Sequence, residues 1–329
     1  MPSDPRFKRC LLGTALILFT VLGAGSFVLL RPVNPDALGH VPFAVSRGEG
    51  ITEIAGQLEE KGLIKSAIGF TLYALIRGSA TGFKPGAYSL SPVMSGPAIA
   101  RTLEAGAPAI TVTLPEGSTL VDMDRILASK GVIGAGDLIE YDRKNGSSLE
   151  GFLFPDTYIF SGGTKVGDVV HELVGNFEKN IGPLLSGMGE EERVRIATIA
   201  SLIEKEALYP HDRLMVSGVI AHRLSIGMRL QLDAANVYVK CGGAYVTCPA
   251  KERRLSTADL GLKSPYNLYL NAGLPPGPIA SAGKDAFAAA IRPKKTVNLY
   301  YISNPATGRL IFAETLDGHN ANRGKYHIN

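Results

Sequence analysis

The chain has 329 residues, enough for a sizeable core and for more than one domain. Hydrophobic residues make up 45% and charged residues 19%, a balance that excludes a disordered chain. The net charge of +4 comes with no stripe of Lys and Arg, so nothing argues for nucleic acid, and charge alone identifies no partner.

The first element is apolar. Leu11 to Leu30, "LLGTALILFTVLGAGSFVLL", carries no charge. As a helix it would be about 30 Å long, enough to span a bilayer. Arg6, Lys8 and Arg9 precede it, so residues 1–10 are expected in the cytoplasm and everything after Arg31 on the extracytoplasmic side of the inner membrane. A cleaved signal peptide is the alternative; its apolar region is usually shorter, although Gly23, Ala24, Gly25 and Ser26 leave it open. The expectation is a single uncleaved anchor at 11–30.

Three cysteines are present. Cys10 sits in "FKRC", which is no lipobox. Cys241 and Cys248 lie in "CGGAYVTC", and in an oxidising compartment they read as a disulfide closing a Gly-Gly loop, with two free thiols as the alternative. No His lies near them and no CxxC or HExxH occurs, so neither a metal nor another cofactor is expected.

Residues 31–40 form a Pro-containing linker. From 41 to 108 a small module can be read: a strand, a Gly turn, a helix with Ile51, Ile54, Ala55, Leu58 and Leu63 near helical spacing, a second helix over Ser66–Arg77, a strand in "KPGAYSLSP", and a helix over Pro97–Ala105. Strand, helix, helix, strand resembles LysM, a peptidoglycan-binding fold. At 109–148 "AITVTLPEGSTLVDMDRILASKGVI" repeats the plan of "FAVSRGEGITEIAGQLEEKGLI": strand, x-Glu-Gly, hydroxyl residue, helix, Lys-Gly, aliphatic pair. Residues 149–329 carry the dense motifs. Helices are expected at 165–180, 190–207, 211–225, 256–261 and 282–291, and "VNLYYISN" with "GRLIFAE" reads as a hairpin. The fold class is α+β.

In "IATIASLIEKEA", Ile196, Ile199, Ala200 and Ile203 make one apolar face, with Glu204 and Glu206 on its opposite flanks. Acids at a helix end near Lys205 and Arg213 are commonly solvated surface, and periodicity cannot separate that from chemistry. Their company favours chemistry. "GLPPGPIASAG" reads as an ordered loop fit to wall a site. "SPYNLY" offers Tyr266 and Asn267, "GFLFPDTYIF" offers Asp156, and "GMRLQLDAANVY" brings Gln231 and Asp233. Amides, hydroxyls and rings suit sugar recognition, and a carboxyl among apolar neighbours can be raised in pKa to serve as a general acid.

Together "EGFLFPDTY", "ASLIEKEA", "GVIAHRLSIGMRLQLD", "SPYNLY", "GLPPGPIASAG" and the terminal "HN" make the chain resemble the YceG-like (MltG) family of membrane-anchored endolytic murein transglycosylases. The resemblance covers nearly the whole chain. It implies an anchor, a LysM-like module and an α+β catalytic domain that cleaves the MurNAc–GlcNAc bond of nascent glycan strands, leaving 1,6-anhydro ends, with peptidoglycan synthases as possible partners. It places the catalytic acid at Glu204, leaves Glu206 as a supporting acid, and gives Gln231, Asp233, Tyr266, Asn267 and Asp156 to substrate binding. His319 and Asn320 match the terminal pair, for which a structural role is expected. The family's Q-x-D strand commonly continues with Pro and Thr, where this chain departs with Ala234, Ala235 and Asn236. Two rival readings remain: a muramidase using Asp156 or Asp233 as second carboxylate, and a non-catalytic peptidoglycan-binding scaffold.

Overall fold

The structure, a computed structural model, describes residues 29–327 apart from 38, 47 and 147. All but the last two residues of the apolar run at 11–30 lie outside the described residues, and no described helix is long and apolar enough to cross a membrane. The architecture is mixed α+β, and the chain divides into two compact units, Met1–Ile110 with Ser161–Thr164, and Thr111–Phe160 with Lys165–Asn329.

In the first unit, β1 (Val41–Val45) pairs antiparallel with β2 (Gly86–Leu90), Phe43 opposite Tyr88. Between them lie α1 (Ile51–Glu60) and α2 (Ala67–Arg77), and α3 (Gly96–Ala105) follows. Alternation on the strands sends Phe43, Val45, Tyr88 and Leu90 into a core with Ile54, Leu58, Phe70, Ile99 and Leu103. Ser66 and Ser95 start α2 and α3 by accepting N–H bonds from Gly69 and Ala98.

The second unit begins within β3 (Ala109–Thr113), which pairs with β4 (Thr157–Ser161). α4 (Leu120–Ser129) opens on a capping box in which Thr119 and Asp122 exchange bonds. α5 (Asp137–Asn145) and α6 (Val166–Asn180) follow. At the centre is α7 (Glu190–Glu206), whose residues Ile196 to Ile203 are all buried, Thr198 and Ser201 included. The helix is thus enclosed on every side, where its pattern promised one apolar face. The two polar residues cost little, because Thr198 Oγ1 and Ser201 Oγ donate to Val194 O and Thr198 O within the helix. Ala207 turns to extended backbone and ends the helix, so the last turn carries Glu204, Lys205 and Glu206 out of the core.

α8 (Pro210–Ser225) begins with Pro210 in its first turn. α9 (Asp233–Lys240) is helical where the resemblance reads a strand, and its consecutive residues Ala234, Ala235, Asn236 and Val237 are buried together. The helix expected at 256–261 shrinks to a 3-10 turn at Ala258–Gly261. α10 (Lys284–Ile291) packs on α7 and α8, and β5 (Tyr300–Ser303) pairs antiparallel with β6 (Leu310–Ala313) as the expected hairpin. α11 (Leu316–Lys325), capped by Thr315, closes the described chain.

Candidate active site

The two acids at the end of α7 meet different surroundings. Glu204 is held on both oxygens: Arg213 donates to Oε1 at 2.7 Å and the Gly283 N–H to Oε2 at 3.1 Å. Its side chain is 5% exposed and that of Arg213 10%. Burial pushes the Glu204 carboxyl above the usual carboxylate range, against the pull of Arg213 and the Gly283 N–H. Glu116 and Asp285 approach the same guanidinium from the solvent side.

The "GLPPGPIASAG" loop belongs to this flank. Ile279 N–H donates to Ser201 Oγ, Ser281 exchanges backbone bonds with Gly117 and Ser118, and Ile279 through Ala282 are buried. A Cβ on Gly283 would come within 1.9 Å of the Glu116 carboxylate, so a larger residue there would displace that exposed side chain. The loop is ordered as expected, but it packs the core and orients Glu204; it lines no part of the cavity described next.

Glu206 faces that cavity, a cleft of about 390 Å³ lined by Glu206, Arg223, Gln231, Leu232, Asp233, Tyr269, Tyr300, Tyr301, Leu316 and His319. Tyr301 on β5 donates to Glu206 Oε2 at 2.9 Å. The Ala234 N–H in the first turn of α9 also reaches the carboxyl. Burial pushes the Glu206 carboxyl up to about 7; the Asp233 charge adds to the rise, while the Tyr301 hydroxyl, the Ala234 N–H and Arg223 oppose it. A carboxyl in that range holds a proton near neutrality and can deliver it.

Asp233 is placed by Tyr269, whose hydroxyl donates to Oδ1. Tyr269 in turn sits on a turn shaped by Asn267: the fully buried amide donates to Leu260 O and Leu262 O at 2.9 and 2.8 Å and accepts from the Tyr269 N–H. Arg223, buried on α8, donates to Leu299 O at 2.7 Å and Leu230 O at 2.5 Å, tying the hairpin and the Gln231 loop to one helix. Burial and the nearby Arg323 and Arg223 draw the His319 imidazole below its ordinary range, so it stands neutral at the cavity wall near pH 7. Among the described residues no group of His, Cys, Asp or Glu is arranged to hold a metal ion.

Gln231 is the strained member. Its φ of +48° is left-handed, where a side chain other than Gly or Asn is unfavourable, and its N–H is pinned to Leu268 O at 3.1 Å. Gln231→Gly is expected to leave stability within about 1 kcal/mol, since backbone relief offsets added unfolded-state entropy. Cleavage should slow roughly tenfold as one hydrogen-bonding arm leaves the cleft. Thermal unfolding and glycan cleavage on the same preparation check this; a destabilised but fully active variant would refute it.

The structure therefore brings Glu206, Gln231, Asp233 and His319 together and leaves four expected binding or supporting residues elsewhere. Asp156 is exposed, accepts from Thr157 N–H and Asn176, and lies on a separate open groove with Glu172 and Lys179. Tyr266 packs against Tyr238 with ring centroids 5.4 Å apart. Asn267 is structural, and Asn320 is exposed on α11 outside the cavity lining. Arg223, Tyr269, Tyr300, Tyr301 and Leu316 were not singled out from sequence. Tyr269 had a signal, closing the same "SPYNLY" motif; Tyr301 showed only as a strand residue.

A raised carboxyl in a tyrosine-lined cleft, on a mixed α+β scaffold, has the features of an acid–base site. The YceG-like family model matches residues 43–325, and the chain belongs to that family. It is 31% identical over 326 residues to the endolytic murein transglycosylase of Bacillus subtilis, covering 91% of this chain and 88% of the relative. It is 29% identical over 359 residues to that of Streptococcus pneumoniae serotype 2, covering 95% of this chain. The chain spans 64% of the pneumococcal protein's length. A crystal structure of a yceG-like protein from Listeria monocytogenes matches with a TM-score of 0.54 and 28% identity, over 87% of this chain and all of that one.

Proposed function

We propose that this chain is an endolytic lytic transglycosylase of peptidoglycan, with Glu206 as its acid and then its base. The observation that carries the reading is the Glu206 carboxyl, raised to about 7 inside a cleft with Gln231, Asp233 and three tyrosines. The names of the Bacillus and Streptococcus relatives support the substrate class. Protonated Glu206 gives its proton to the glycosidic oxygen as the bond to C1 of the muramic sugar breaks. The sugar's N-acetyl oxygen attends C1, and the Glu206 carboxylate then accepts the proton of the 6-hydroxyl as that oxygen closes on C1. No water is consumed. Asp233, beside the oxocarbenium-like centre, stabilises it, and Gln231 and His319 hold sugar hydroxyls.

The same reading takes 11–30 as an anchor to the cytoplasmic membrane, 41–108 as a LysM-like module and 149–329 as the catalytic domain on the extracytoplasmic side, working on nascent strands beside the synthases. Asp233 in the cleft with Glu206 also favours a second reading, a muramidase with two carboxylates. Mass spectrometry of digested glycan strands decides between them. The lyase leaves 1,6-anhydro ends, one water lighter than reducing ends; reducing ends alone would establish the hydrolase, and no cleavage with retained binding would leave a scaffold.

A further inference from the structure

We infer that the loop closed by Cys241 and Cys248 is a positioning element for the Glu206–Asp233 pair, and that cleavage depends on that bond being closed. The inference rests on the proposed role of Glu206. Cys241 and Cys248 are bonded. Cys241 follows directly on Lys240, the last residue of α9, whose first two residues are Asp233 and Ala234. One end of the loop is therefore continuous with the helix that faces Glu206.

The middle of the loop is fastened at a fixed point. Asp122, fully buried in the capping box of α4, accepts the N–H groups of Tyr245, Val246 and Thr247 at 3.0, 2.8 and 2.7 Å, and the Thr247 hydroxyl at 2.6 Å. Burial alone would raise this carboxyl, but its donors hold it below the usual range, so it stays charged and keeps its grip. The loop also touches the last turn of α7. Lys205, between the two acids, sets its ammonium 3.5 Å from the centre of the Tyr245 ring and donates to Gly117 O. The Tyr245 hydroxyl in turn feels the charges of Glu206 and Asp233.

α9 has other tethers, Asn236 to Asp259 O, Lys240 to Asp259 and Tyr238 to Glu150, and these suffice to keep the helix folded. None of them reaches α7. Beside the Ala234 N–H bond to Glu206, the disulfide loop gives α9 a second link to the turn that bears Glu206, by covalent continuity on one side and by the Tyr245–Lys205 contact on the other. Opening it loosens the loop between Lys240 and its anchor on Asp122, and with it the seat of the Tyr245 ring under Lys205. The acid and the helix N-terminus opposite it are then held to each other by the Ala234 N–H bond without the loop's support, while the core of α7 stays packed.

The test compares the wild-type chain, Cys241→Ser/Cys248→Ser, Asp122→Asn, and wild type reduced in the folded state by a dithiol, which supplies the two electrons and two protons of disulfide cleavage. Glu206→Gln serves as control. For opened forms that keep their circular dichroism, kcat should fall roughly 10- to 100-fold, the range for a small misplacement of reacting groups. KM should change little, and the pH limb of kcat should shift. A staple without a positioning role would lower only the unfolding temperature; unchanged kcat and pH limb would overturn the inference. Should the double variant fail to fold, the reduced protein answers the same question. If Glu206→Gln cleaves at the wild-type rate, the site reading falls and this inference with it. If Glu206→Gln is inactive and the opened forms are not impaired, this inference alone falls.

Discussion

Glu206→Gln is expected to lower glycan cleavage by roughly 10²- to 10⁴-fold, the range for loss of a positioned general acid, while the protein stays folded. The amide keeps the shape of the carboxyl and can still accept from Tyr301, while the transferable proton is lost. In the wild type, kcat should fall as pH rises through about 7, because the acid must carry a proton to start the reaction. Stability follows the same group with a definite sign. The folded pKa lies above the unfolded value, so the contribution is complete below about 4.5 and is lost as pH rises through about 7. Glu206→Gln removes that loss, and the variant should be more stable than wild type at pH 8, on the order of 2–3 kcal/mol. A cleavage assay over pH, run with thermal unfolding at pH 5 and 8, measures both. An inactive variant that is also destabilised at pH 8 would mean that Glu206 holds the structure.

Glu204→Gln should show the reverse pattern. Arg213, 10% exposed, would lose its 2.7 Å charged partner, and breaking a buried pair costs on the order of 3 kcal/mol. Glu116 and Asp285 reach the same guanidinium from exposed positions and soften the loss. Below its lowered melting temperature the variant should retain most of its cleavage, because Glu204 does not line the cleft. If Glu204→Gln proved inactive and stable while Glu206→Gln cleaved normally, the catalytic role would return to Glu204.

These two acids show where sequence reasoning stops. The pattern of α7 identifies a buried helix ending in acids on opposite flanks, but both flanks look alike until neighbours are known. The cleft side is chosen by residues far along the chain: Tyr301 on β5, Asp233 on α9 and Arg223 on α8. Asn267 illustrates the same limit. Its motif marked it as polar and site-adjacent, yet its three bonds are all to backbone, and its contribution passes through Tyr269. Asp156 sat in an equally dense motif and came to lie on another groove.

Local physics alone determined a good deal. The mixed α+β class, the first-unit order of strand, two helices and strand, the central helix, the closing hairpin and the paired cysteines all rest on neighbours within a few residues, where periodicity, caps and turn glycines act. The strand that the resemblance placed at the Q-x-D motif is instead the start of α9, whose buried residues Ala234 to Val237 run consecutively. Tertiary structure alone decided which acid faces the cleft and which is paired with an arginine. Desolvation and charge depend on distances across as many as 95 residues of chain, as between Glu206 and Tyr301, and no local pattern encodes them.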